Sequence, residues 1–144
     1  MISANKPFLS SKFKPGMMTI HETGELIRRR ALEAGLFPIL EYKIKKSTNP
    51  SGFAYVDWVL LDSQRNPVVA IEIDATNVQK SYVEQSFENL RCCDAPVKIQ
   101  ILYQIRRFEV LGTSKWVSKH SAQDIRVLND EEFWLDKLLF HRLF

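Results

Sequence analysis

The chain is poor in the residues that most often announce a site. Only two of its 144 residues are cysteine, and Cys92 and Cys93 are adjacent, which excludes an ordinary structural disulfide and offers no metal-ligand spacing. The three histidines, His21, His120 and His141, have no mutual spacing that suggests a zinc site or a proton relay. Five glycines form no phosphate-cradling loop, and no serine or cysteine stands in a nucleophile elbow. No apolar run approaches the roughly eighteen residues of a membrane helix, and the N-terminal stretch lacks a signal-peptide core. The expectation is therefore a cytoplasmic protein with no membrane partner. An excess of one charge sign is also missing: 20 Lys and Arg against 17 Asp and Glu leave a net charge of +3. That permits a polyanionic partner but is far from the charge of a protein that coats nucleic acid.

What is present suits one soluble domain. With 45% hydrophobic and 26% charged residues, a chain of this length buries a core without staples. Its most informative stretch is residues 53–74, FAYVDWVLLDSQRNPVVAIEID. Two arms rich in Val, Ile, Leu and aromatics flank the turn residues 62–67, a pattern that predicts a β-hairpin. A turn centred between Gln64 and Arg65 sets Asp57 directly opposite Glu72. Cross-strand neighbours have Cβ atoms about 4.5–5.5 Å apart, so two carboxylates would sit side by side among apolar residues. Such a pair either shares a proton or is held by a cation, and a divalent metal is the simplest reason to tolerate it. Asp74 falls on the same strand face as Glu72.

Around the hairpin the other elements read in order. Residues 1–18, with three lysines and two prolines, read as an irregular basic arm, and residues 19–144 as a single domain. Thr19 and Glu22 make a capping box that opens a helix closed by Gly35. Arg28, Arg29 and Arg30 spread over its polar side and read as a solvated face. Residues 37–45 alternate, with Leu40, Tyr42 and Ile44 inward and Glu41, Lys43 and Lys45 outward, as in a half-buried strand. A helix over residues 81–93 follows the hairpin, and residues 97–103 form a buried strand. Short strands are expected at residues 107–111, 116–119 and 125–128, and one amphipathic helix over residues 130–144. Its aromatics would suit a dimer helix, so a homodimer is among the expected assemblies.

The order helix, strand, strand, strand, helix, strand, with Asp57 on the second strand and Glu72-x-Asp74 ending the third, resembles the PD-(D/E)XK nuclease superfamily over roughly residues 19–103. The resemblance implies a restriction-endonuclease-like α/β fold: an αβββαβ core with a central mixed sheet flanked by helices, here followed by short strands and a helix. It implies Mg²⁺, or Mn²⁺ in its place, held by Asp57, Glu72 and the backbone carbonyl of Ile73. Glu22 occupies the place of a helix-borne acid, and Gln85 is similar in placement to a helix glutamine near the site. Where the superfamily pattern has lysine this sequence has Asp74, as very-short-patch-repair-like domains do, so Asp74 is implied to join the site. The lysine would then come from a neighbouring element, Lys80 first and Lys98 or Lys43 after it.

The implied activity is metal-dependent hydrolysis of DNA. Hard oxygen ligands around Mg²⁺ meet two needs of that reaction, an activated water and neutralised phosphoryl charge. Arg28, Arg29, Lys43 and Lys45 would contact phosphates, which orients a strand without reading its sequence. A rival reading keeps the fold without the catalysis, as a module that binds nucleic acid or a protein.

Overall fold

A computed structural model describes residues 19–74, 80–103 and 124–143. The basic arm and the strands expected at residues 107–111 and 116–119 lie outside the described residues. The protein is α/β: a five-stranded mixed sheet flanked by helices. In chain order the elements are α1 (Ile20–Glu33), β1 (Phe37–Lys45), β2 (Phe53–Leu61), β3 (Pro67–Asp74), α2 (Lys80–Cys92), β4 (Val97–Leu102), β5 (Ile125–Asn129), α3 (Asp130–Leu135) and α4 (Leu139–Arg142). The strands lie side by side in sequence order. β1, β2 and β3 are antiparallel, and β3, β4 and β5 are parallel.

The hairpin register follows from its turn. Asp62 Oδ1 accepts from the amides of Gln64 and Asn66, both at 2.9 Å, and Arg65 takes a φ of 67°. This side-chain-nucleated turn fixes the strands, with a one-residue irregularity between Leu60 and Leu61. Trp58 then lies opposite Ile71, Val59 opposite Ala70 and Leu60 opposite Val69. Asp57 and Glu72 are the next positions in that register.

Two cores cover the two faces of the sheet. Against α1 lie Trp58, Leu60, Ile71, Ile73, Ile99 and Ile101, joined by Phe133 and Phe140. Against α2 lie Val59, Leu61, Ala70 and Leu102, with Val83, Phe87 and Leu90 from the helix. Gly24 lets α1 lie close on the sheet, since a Cβ there would stand 3.2 Å from the Trp58 indole nitrogen, tighter than an ordinary contact. Trp58 is thus a core residue.

Three expectations change. The alternation of β1 does not run through: Leu40 is exposed, whereas Tyr42 and Ile44 pack toward α2. Glu41, between them, adopts a φ of 56° and inverts the facing of the strand. Arg30 is not solvated but buried, and its guanidinium donates to the carbonyls of Phe133 at 2.6 Å and Trp134 at 2.7 Å. Burial, and Arg29 beside it, lower its pKa to about 10, which still leaves it charged at neutral pH. The segment after β5 is two short helices rather than one, because those carbonyls, claimed by Arg30, are the acceptors a continuing helix would need.

A candidate acid site at the carboxyl edge of the sheet

The parallel strands end in register, Asp74 beside Leu102 and Leu102 beside Asn129. In open α/β sheets this edge is where ligands bind. Here it carries the buried acids. Glu72 and Asp74 share the sheet face that carries Ala70, under α2, and are 5% and 4% exposed. Asp57 reaches them from β2 through two reciprocal bonds. The Asp57 amide donates to Glu72 Oε2 at 3.2 Å, and the Ile73 amide donates to Asp57 Oδ2 at 2.7 Å. The two carboxylates therefore continue the β2–β3 ladder past its last backbone pair, lodged between the strands.

Burial is the main force on these groups. It pushes the Glu72 carboxyl up to about 9, with the charges of Asp57 and Asp74 adding to the effect. Asp57 is also raised, by burial first, while the Ile73 amide and a hydrogen bond with the Glu72 side chain oppose the rise and Glu41 adds to it. Both shifts favour retention of a proton on the pair. Asp74 is raised to about 6 by burial, against the pull of the Gln100 and Ser86 hydrogen bonds. Ion pairs among the described residues, Arg28 with Glu25, Arg91 with Glu88 and Arg142 with Asp136, are all peripheral. None brings a cation to the three acids.

The remaining sequence candidates are placed as follows. Asp74 joins the cluster, but both its oxygens are held by neutral donors, the Ser86 hydroxyl at 2.9 Å and Gln100 Nε2 at 2.8 Å. Ile73 contributes its amide. Glu22 is engaged in the capping box, accepting from the Thr19 amide at 2.9 Å. Gln85 is exposed on α2, and its neighbour Ser86 faces the acids instead. Lys98 donates to the Arg91 carbonyl at 3.4 Å, near the start of β4 and away from the carboxyl edge. Lys43 and Lys45 are exposed on β1; Arg28 and Arg29 are exposed on α1. Lys80 opens α2, but its side chain lies outside the described residues.

Sequence reasoning missed Ser86, Gln100 and Glu41. A signal existed for two of them. Gln100 interrupts the apolar run of β4, and Ser86 falls on the stripe of α2 set by Val83, Phe87 and Leu90, so each is a polar residue at a core position. Glu41 gave none, since an outward acid in an edge strand is ordinary.

Asp57 and Glu72 are the residues that could hold a metal. Among the described residues no group of three or more His, Cys, Asp or Glu side chains forms a metal cage. Two carboxylates nonetheless fit Mg²⁺, which is usually bound through one or two carboxylates and completes its shell with water and substrate phosphate. A pocket of ≈ 360 Å³ lined by Tyr42, Lys45, Cys92 and Cys93 among others is a separate feature that shares no residue with the acids. No family model, curated protein or solved structure matches the chain. Among the described residues no helix is long and apolar enough to cross a membrane.

Proposed function

We propose that the protein is a metal-dependent phosphodiester hydrolase acting on DNA, with a restriction-endonuclease-like arrangement of its α/β core. The observation that carries this reading is the pairing of half-buried Asp57 with buried Glu72 between adjacent strands, with no side-chain cation from the described residues bonded to either. Isolated buried carboxylates are costly, by several kcal/mol per ion, and would be poor building material without a cation to bind. Asp57 and Glu72 would hold Mg²⁺ or Mn²⁺, which when bound activates water and neutralises phosphoryl charge. Asp74, fixed by Ser86 and Gln100, adds negative potential beside Glu72. Lys43, Lys45, Arg28 and Arg29 would meet phosphates, and Lys80 is the first choice for the assisting ammonium, with Lys43 behind it.

The test is cleavage of single- and double-stranded DNA across a titration of Mg²⁺ and Mn²⁺. Cleavage that needs metal and disappears in Asp57→Asn supports the reading. A second reading draws on Asp74, which stands where the superfamily pattern has lysine: a nuclease-like module that binds nucleic acid without cutting it. DNA binding without turnover in any divalent metal would select that alternative.

A further inference from the structure

Beyond the acids, β2 continues as a two-stranded arm. From Val56 back to Phe53 it is paired only with β1, Lys43 opposite Tyr55 and Lys45 opposite Phe53. Directly opposed residues share a face, and alternation puts all four side chains on one side of the arm. Burial agrees: Tyr42 and Ala54 are half-buried and Ile44 and Val56 buried on the other side, whereas Lys43, Lys45, Phe53 and Tyr55 are exposed. Tyr55 is 54% and Phe53 41% exposed. The Lys43 ammonium stands 4.1 Å from the centre of the Phe53 ring. Two rings and two ammonium groups thus alternate over one exposed face of the arm. The nearest acid on β1 is Glu41, at the end toward Asp57.

We infer that this arm face is a platform for single-stranded nucleic acid, with bases stacked on Phe53 and Tyr55 and phosphates met by Lys43 and Lys45. A protein partner would be served by the rings alone. The interleaved cations fit a polyanion whose repeating unit carries a flat π-face and one negative charge, and successive unstacked nucleotides have that composition. A duplex hides its base faces and offers the rings nothing. The proposal rests on the nuclease reading to the extent that it names the substrate form delivered to Asp57 and Glu72: a single strand or a splayed end.

Polarisation of a fluorescein-labelled oligothymidylate, measured in EDTA so that nothing is cut, tests the platform apart from catalysis. The wild type should bind the single strand more tightly than a duplex of equal length. Tyr55→Ala and Phe53→Ala should each weaken the single-strand complex about tenfold, Tyr55→Trp should restore it, and Lys43→Met with Lys45→Met should lower the salt slope by about 1. Melting curves establish that each variant is folded. Unchanged affinity in a folded Tyr55→Ala, or preference for the duplex, overturns the platform. So does a dimer, seen by sedimentation, that Tyr55→Ala and Phe53→Ala dissolve. Ring-dependent binding without cleavage in any divalent metal retains the platform and ends the nuclease reading; metal-dependent cleavage with ring-independent binding does the reverse.

Discussion

Asp57 is a carboxylate in a place that suits its side chain badly and its neighbours well. Its Oδ2 takes the Ile73 amide that the broken ladder leaves over, so the side chain has a structural use even without a ligand. Asparagine keeps that use, because its carbonyl oxygen can accept from Ile73 while its amide donates to Glu72. What asparagine removes is the charge that helps to raise the Glu72 carboxyl. Asp57→Asn should therefore melt at the same temperature as wild type or a few degrees higher in metal-free buffer, about 2–4 °C per kcal/mol gained. Wild type should gain stability from Mg²⁺ and the variant should not. Scanning calorimetry of both, with EDTA and with Mg²⁺, reads the four values. A variant that melts lower without metal, beside a wild type indifferent to Mg²⁺, would make Asp57 a structural residue only.

Among the elements, those whose cause is local were the legible ones. The capping box of α1, the Asp62 turn and the apolar arms of β2 and β3 act within a few residues, and each could be placed from sequence. The break between α3 and α4 could not, since it depends on Arg30 in α1, a contact across more than a hundred residues. Arginine fits this place because its planar fork meets several carbonyls at once. Arg30→Met keeps an apolar stem there but takes the guanidinium donors away from the carbonyls of Phe133 and Trp134. Each lost donor costs about 1–3 kcal/mol, so the variant should lose roughly 2–6 kcal/mol. Urea unfolding measures the loss, and amide exchange should rise first over residues 130–143. Unchanged stability would mean that water replaces the guanidinium there.

Across the whole molecule, the raised acids make the stability fall as the pH rises. The hairpin register placed Asp57 opposite Glu72 from sequence alone. The supporting Ser86 and Gln100 became visible only once α2 crossed the sheet face and β4 lay beside β3. That packing buries the cluster and raises its proton affinity. A carboxyl whose folded pKa is raised adds stability that is complete below its unfolded pKa and is lost as pH climbs to the folded one. For Asp74 the loss runs from about 4 to about 6; for Glu72 it continues to about 9. In EDTA the wild type should therefore melt progressively lower as the pH rises from about 4 to about 9. Glu72→Gln cannot ionise at that position, so it should flatten the upper part of the slope and reduce the fall between about 4 and about 6 to the part set by Asp74. If the deprotonated pair holds Mg²⁺ as proposed, the metal should reverse the trend above pH 7, restoring stability most where the metal-free protein is weakest. A wild-type melting temperature independent of pH between 6 and 9, equal to that of Glu72→Gln, would mean that the pair is solvated and carries no strain for a cation to relieve.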